Sequence, residues 1–342
     1  MTDEQMICCR GIWKIFGSDP KRIMAETDLT LSKSEIQERT RHIVAVRDVN
    51  FEVSRGECFV VMGLSGSGKS TLVRCLSRLI EPTEGAVLID GLDVITMNRR
   101  ELLDLRRHRL AMVFQHFGLF SHRSVIDNIS YGLEIRGIGK AERTEKAHEM
   151  LELVGLKGWD ACYPRELSGG MQQRVGLARA MALDPEILIF DEPFSALDPL
   201  IRREMQDELL QLQHQLKKTM VFITHDFLEA IKMGDHIAIM KDGAVSQIGT
   251  PEEIVAHPVD DYVREFTEDV PRYKVLSAGK VMRPDSGNAC ADAEPVLTTA
   301  KIDTLIDQVA DSDRPLRVMT PEGVAVGEID RSIIMRAMSS RS

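Results

Sequence analysis

Features that would embed this chain in a membrane, carry it out of the cell or hold it on nucleic acid are missing from its sequence. Its apolar stretches are short: Cys58–Gly63 and Ile187–Phe190 fall far below the ~20 residues needed to span a bilayer. Met1–Gln5 is acidic and no apolar run follows it, so no secretory signal is expected. Any role at a membrane must then come through partners. Basic side chains are in deficit, 43 Lys and Arg against 53 Asp and Glu, for a formal net charge of −10. Phosphate backbones are bound by a basic field, which argues against nucleic acid as the main partner. The six cysteines (Cys8, Cys9, Cys58, Cys75, Cys162 and Cys290) form no CxxC pair, and no histidine cluster accompanies them at zinc spacing. A chain of 342 residues does not need disulfides, so they read as reduced thiols serving as small core hydrophobes. Long-range repeats and low-complexity tracts are also lacking.

What is present is the composition of a folded protein, 43% hydrophobic and 28% charged, with a length suited to two domains or to one domain with an appendage. From about residue 44 to 256 short apolar runs alternate with helix-length amphipathic stretches, which predicts an α/β sheet. Strands are expected at Glu57–Gly63, Leu110–Phe114, Ile187–Phe190, Met220–Thr224 and Ile237–Met240. Helices are expected at Lys69–Leu79, Ala141–Val154 and Met171–Leu183. The pairs Asp90-Gly91 and Asp242-Gly243 separate strand-like runs and suggest antiparallel hairpins, so the sheet is expected to be mixed. Ser18–His42 is polar, with a possible helix cap at Ser32 and Glu35 three residues on. The run Arg99–Arg109 is basic and reads as a solvated helix face rather than a lipid contact. Pro271 and Arg283–Pro295 bracket a composition shift, dividing the chain into 1–271 and 272–342, with a short strand–helix pattern continuing to Met338.

Gly63-Leu64-Ser65-Gly66-Ser67-Gly68-Lys69-Ser70 fits GxxxxGK[ST] and lies between an expected strand and an expected helix. Glycines let the backbone curl so that successive N–H groups point at one phosphate, and the helix that follows adds its positive end. The phosphate-binding set is Gly63, Ser65, Gly66, Ser67, Gly68, Lys69, Ser70 and Thr71, with Lys69 reaching the outer phosphates and Ser70 able to ligate Mg²⁺. Downstream, Ile187-Leu-Ile-Phe-Asp191-Glu192 is an apolar strand that delivers two carboxylates at its C-terminal end, where open α/β sheets bind ligands. Asp191 suits a Mg²⁺ coordination sphere, and Glu192 could polarise an attacking water. The NKxD motif that reads guanine is lacking, which favours ATP.

At Leu167-Ser168-Gly169-Gly170-Met171-Gln172-Gln173-Arg174 the chain resembles the signature of ATP-binding cassette (ABC) transporter ATPases. Gln115 resembles that family's Q-loop, Ser195-Ala-Leu-Asp198 its D-loop and His225 its switch histidine; together these cover about residues 44–256. The resemblance implies a P-loop cassette fold with a mixed-sheet core and a helical subdomain over about 116–170. It also implies two copies closing head to tail on two ATP molecules, each phosphate loop facing the partner's Ser168, Gly169 and Gly170. Glu192 would be the general base, His225 would contact the γ-phosphate, Gln115 would sense Mg²⁺ and the water, and Asp198 would link the two sites. Phe16 matches the adenine-stacking position, with Trp13 a nearby competitor.

The insertion after Phe16-Gly17, the run Arg78-Leu-Ile-Glu-Pro82 and Ser195–Glu208 resemble the glycine betaine, proline betaine and choline importers. That resemblance implies a peripheral ATPase on the cytoplasmic side of the plasma membrane. Its partners would be two permease subunits, with a periplasmic substrate-binding protein acting indirectly. The tail resembles a single repeat of the cystathionine-β-synthase (CBS) type, at Gly279–Met282 and Arg317–Gly327, in a small α+β domain that is either regulatory or a dimer-packing element. Other readings are an exporter subunit, a cassette for a different substrate, or a soluble ABC ATPase acting on macromolecules.

Overall fold

A computed structural model describes residues 5–114, 118–195, 197–268, 270–284, 295–312 and 314–339. The chain divides into two units, Met1–Ser246 and Gln247–Ser342.

The first unit opens with a long strand, β1 (Gln5–Phe16), which lies ahead of the alternation that begins near residue 44. Its burial follows no clean period of two, because Gly11 (φ 56°) sits where its register with the next strand slips between Cys9 and Ile12. The polar insertion forms two short helices, α1 (Pro20–Glu26) and α2 (Lys33–Thr40). The Ser32 cap is present as a reciprocal box: Glu35 N–H donates to Ser32 Oγ at 3.2 Å and Ser32 N–H to Glu35 Oε2 at 2.9 Å. β2 (Ile43–Ser54) then returns antiparallel to β1.

β3 (Cys58–Met62) has all five residues buried, as a strand inside a covered parallel sheet must. It feeds α3 (Lys69–Leu76), after which β4 (Glu84–Ile89) and β5 (Leu92–Asp93) pair across Asp90-Gly91, both at positive φ. β4 also pairs antiparallel with β1, so this hairpin belongs to a separate four-stranded antiparallel sheet, β2-β1-β4-β5, rather than to the core sheet.

α4 (Arg99–His108) carries the basic run, and only part of it faces water. Arg99, Arg100 and Arg107 are exposed, but Arg106 donates to the carbonyls of Ser77 and Arg78 at 3.1 and 2.8 Å. Arg109 pairs with Glu186 and Asp90, each at 2.7 Å. β6 (Leu110–Val113) leads into a helical layer of α5 (Val125–Ile135), α6 (Lys140–Leu153) and α7 (Gly169–Met181), the last running beyond residue 170. Fully buried Asn128 closes the turn that enters it, donating to the carbonyls of Phe120, Arg123 and Ser124 and accepting from Phe120 N–H.

β7 (Ile187–Asp191), α8 (Pro199–Leu216), β8 (Thr219–Thr224), α9 (Phe227–Met233), β9 (His236–Lys241) and β10 (Ala244–Gly249) complete the core sheet. Its order is β10-β9-β3-β8-β7-β6, with the pairs from β9 through to β6 all parallel. Asp242-Gly243 links β9 to β10 at its edge. Register places Met62 beside Thr224 and Ile223 beside Asp191, so β3, β8 and β7 end level and their following loops open at one edge. One apolar core joins the two sheets through α3, running from Ile7, Ile12 and Phe51 through Leu72 and Leu76 to Val61, Ile189 and Val221. Among the described residues no helix is long and apolar enough to cross a membrane.

The second unit starts with α10 (Pro251–Ala256) and α11 (Asp261–Thr267), followed by the short α12 (Ala278–Val281). β11 (Val296–Leu297), α13 (Ile302–Asp311), β12 (Leu316–Met319), β13 (Ala325–Ile329) and α14 (Arg331–Ser339) then form a small α+β layer. Its sheet runs β11-β12-β13, parallel then antiparallel, and Arg317–Gly327 runs through β12 and β13. Ile302, Val309, Leu316, Val318 and Ile329 form its core. Fully buried Glu328 takes a 2.7 Å ion pair from Arg283.

Ile189 is fully buried between the two sheets, so Ile189→Ala leaves a cavity that its neighbours fill only partly. The expected cost is about 2–5 kcal/mol, read from the shift in denaturant midpoint at unchanged slope.

Candidate nucleotide site

The loop after β3 is shaped by its glycines. A Cβ at Gly63 (φ 146°) would lie 2.3 Å from the carbonyl oxygen of Met240, and one at Gly68 (φ 105°) would lie 2.2 Å from that of Ala45. No other residue fits where backbone is pressed on backbone at these torsions. Gly66 (φ 80°) turns the apex, where an added Cβ would meet nothing within 4 Å. Ser65 is exposed, Thr71 is half-buried on the first turn of α3, and Ser67 Oγ is buried with no hydrogen-bond partner. Gly68 provides no side-chain cap to α3, so the first N–H groups of that helix are left for a ligand.

Lys69 is buried and folds back over the loop, donating to the carbonyls of Gly63 and Leu64 at 2.8 and 3.0 Å. Burial holds its ammonium below the ordinary lysine value, while Glu192 and Asp191 pull in the opposite direction. Ser70 Oγ donates to Asp191 Oδ1 at 2.9 Å, and the other oxygen of Asp191 takes an ion pair from Arg74 at 3.2 Å. Glu192 sits just past the end of β7 in the left-handed region (φ 48°), a costly backbone state for a residue with a Cβ. Its carboxylate lies 3.9 Å from Lys69 Nζ and 3.3 Å from His225 Nδ1. The three strand ends thus bring Lys69, Ser70, Asp191, Glu192 and His225 together.

Other candidates stand apart from this group. Ser168 caps α7, accepting from Met171 N–H at 3.3 Å. Its neighbours Gly169 and Gly170 lie against the start of α8: a Cβ on Gly170 would meet Ile201 Cγ2 at 2.5 Å, and one on Gly169 would lie 3.7 Å from Leu197. Asp198 caps α8, its Oδ1 accepting from Ile201 N–H at 3.2 Å. Phe16 is exposed at the end of β1 with Lys14 Nζ 4.9 Å from its ring centre, whereas Trp13 packs against the small core of Ile15, Ile23, Ile36 and Val44. Gln115 lies outside the described residues.

Two features were not anticipated from the sequence. Arg74 stands one helical turn after Ser70, so its reach to Asp191 could have been read from the i, i+4 spacing. Glu229 is buried on α9 and accepts from Gln206 of α8 at 2.9 Å and from the Thr224 hydroxyl. It ties the helix after Asp198 to the residue before His225, a pairing with no sequence signal.

A glycine loop between a parallel strand and an uncapped helix, beside a strand ending in paired carboxylates, defines a P-loop nucleoside-triphosphatase. Residues 46–195 match the ABC transporter family. The trimethylamine N-oxide transport system ATP-binding protein of Pelagibacter ubique is 46% identical over 99% of this chain and 98% of its own length. The glycine betaine/carnitine transport ATP-binding protein of Listeria monocytogenes is 55% identical over 80% of this chain and 70% of its own length. Among solved structures, the ATP-binding cassette MJ0796, a dimer in a post-hydrolysis state bound to ADP and phosphate, superposes with a TM-score of 0.61. It is 31% identical over 72% of this chain and 99% of its own length. The chain belongs to the ABC transporter ATP-binding subunits, in the group whose members serve quaternary-amine and related methylamine importers, and it is an ATPase of that family.

Burial pushes the Glu229 carboxyl above its ordinary value of 4.5. The folded state therefore keeps a proton that the unfolded state has lost, so this group's contribution to stability falls as pH rises from 4.5 through the folded value. Glu229→Gln removes that loss, and thermal unfolding across a pH series should show the variant gaining on wild type as pH rises. A difference that does not change with pH would contradict the raised carboxyl.

Proposed function

We propose that this chain is the ATP-hydrolysing motor of an importer for a small methylated amine of the trimethylamine N-oxide or glycine betaine class. The observation that carries the catalytic part is Glu192, strained and held between Lys69 and His225 at the edge where the phosphate loop opens. In this reading Lys69 leaves its loop carbonyls for the outer phosphates, and His225 turns to the γ-phosphate. Glu192 accepts a proton from the attacking water as the new oxygen–phosphorus bond forms and the bond to ADP breaks, releasing phosphate. Phe16, the exposed aromatic at the end of β1, stacks on adenine.

The Ser70–Asp191 pair fits Mg²⁺, which takes hard oxygen ligands and few of them from protein. Gln115 would complete the set. When bound, the ion neutralises charge on the β- and γ-phosphates.

Two copies would close on two nucleotides, with Ser168–Gly170 of each facing the other's phosphate loop through the exposed Ser168 and Gly169 at the start of α7, and with Asp198 near the junction. The dimeric MJ0796 cassette supports this arrangement. An apolar groove of about 400 Å³, lined by Leu79, Met112, Phe114, Phe120, Ile135 and Leu183, suits a permease helix, and α5 and α7 of the helical layer border it. Two permease subunits would place the ATPase on the cytoplasmic face of the membrane, with an external substrate-binding protein delivering cargo. The region 272–342, CBS-like in sequence, would regulate transport or pack the dimer.

The cargo reading draws on the relatives. Two trimethylamine N-oxide proteins, 46% and 48% identical, align over 95% or more of both chains, whereas the betaine proteins align over about four-fifths of this chain. A choline protein is 36% identical.

Uptake of labelled trimethylamine N-oxide, glycine betaine and choline in cells lacking this gene tests the reading. Wild type should restore one of the first two. Glu192→Gln should bind ATP yet restore none, with purified turnover down about 100-fold or more, as expected on losing a general base. Normal turnover in that variant would remove Glu192 as the base, and restoration of none by wild type would remove the cargo class.

A further inference from the structure

The insertion between Phe16 and Ile43 is not a loose loop. Ile23 of α1 and Ile36 of α2 close on Ile15 and Val44 as a small core of their own, covered by Trp13, Met24 and Leu31. The capping box at Ser32 fixes where α2 begins, and so places Lys33 at its first helical position. A cation there opposes the positive end of the helix dipole. Lys33 is nonetheless half-buried, and its ammonium donates to the carbonyl of Gly66, at the apex of the phosphate loop, at 3.1 Å. Among the described residues no carboxylate pairs with it.

A second set of bonds fixes the insertion to the same loop. Arg47 Nη2 donates to the carbonyl of Leu31, just ahead of α2, at 2.7 Å. The Arg47 N–H donates to the Gly243 carbonyl at 2.8 Å, and the Gly243 N–H donates to the Ser67 carbonyl at 2.9 Å. The turn that carries Lys33 and, through Gly243, the back of the loop are therefore both tied to Arg47 of β2, so the ammonium is placed by a packed scaffold.

The surroundings of Lys33 bear on what it can bind. Lys33 sits at the positive start of its own helix, with Glu35 of the capping box two residues on, and bonds to a loop that runs into buried Lys69 and the uncapped start of α3. A lysine in such a field, satisfied by one neutral carbonyl and with donors to spare, is stabilised when a polyanion arrives. Gly66 itself is exposed at the apex, so the carbonyl that anchors Lys33 lies at the solvent-facing turn of the loop. We propose that Lys33 is a second cationic ligand of the phosphate site, donating from its anchor on Gly66 to the polyphosphate of the bound nucleotide, so that the insertion sets nucleotide affinity. This rests on the nucleotide reading above.

The test is ATP binding to the full-length protein by titration calorimetry at low and high salt, for wild type, Lys33→Gln, Lys33→Arg and Lys69→Ala. Lys33→Gln should weaken ATP binding about fivefold at low salt, the worth of one partly exposed charge contact, and flatten the salt dependence. Lys33→Arg should restore both affinity and salt slope. Unchanged affinity in Lys33→Gln would overturn the proposal. So would weakening by Gln and Arg alike with the wild-type salt slope kept, which would mark Lys33 as a brace of the loop alone. Melting curves check that the variants fold. The nucleotide reading fails separately: it falls if wild type does not bind ATP, or if Lys69→Ala binds it as well as wild type does.

Discussion

Gly63 and Gly68 let the phosphate loop lie directly against the backbone of Met240 and Ala45, and the rest of the site depends on that contact. It fixes the loop between the end of β9 and the start of β2, so the turn cannot relax into an ordinary strand–helix connection. The start of α3 is then held at the level of the β3 terminus, with its amides uncapped. Because β3, β8 and β7 run parallel and end level, Asp191, Glu192 and His225 come to the same edge without any long connection reaching across.

Charge at that edge is arranged so that no group is both buried and satisfied by an opposite partner alone. Lys69 is buried on neutral carbonyls with Glu192 nearly 4 Å away, and Glu192 is held in a left-handed backbone that only its surroundings can enforce. Asp191 is divided between a hydroxyl and a guanidinium. Such a site is preorganised for a charged ligand, since exchanging carbonyls and neighbouring side chains for phosphate oxygens requires little rearrangement of the fold.

The pieces that do not touch this group have their own logic. Ser168 and Asp198 each cap a helix, and Gly170 is small because Ile201 fills the space beside it, so the α7 and α8 starts form one corner. Gln206 and Glu229 join α8 to α9, which ties that corner to the residue before His225 by a buried hydrogen bond. Movement at the start of α8 would therefore be felt at the residue before the histidine, through the helix and this bond.

The phosphate loop, the Asp191-Glu192 strand end, both Asp-Gly turns and the Ser32 cap were legible because each is a local pattern, set by torsions or hydrogen bonds within a few residues. The core strands were legible for the same reason, as short, wholly apolar runs between turns. β1 was not, since the bulge at Gly11 breaks its alternation, and neither was the assignment of the β4–β5 hairpin to a second sheet. The basic run on α4 read as solvated, yet Arg106 and Arg109 turn inward because carbonyls and carboxylates far along the chain wait for them. Chemistry carried by neighbours in sequence was thus determined by the sequence itself: which residues bend, which cap and which bear charge. Which of them meet was decided only by the tertiary structure. Lys33 at Gly66 and Glu229 at Gln206 depend on the order and register of strands, which side chains select collectively through packing and no single segment encodes.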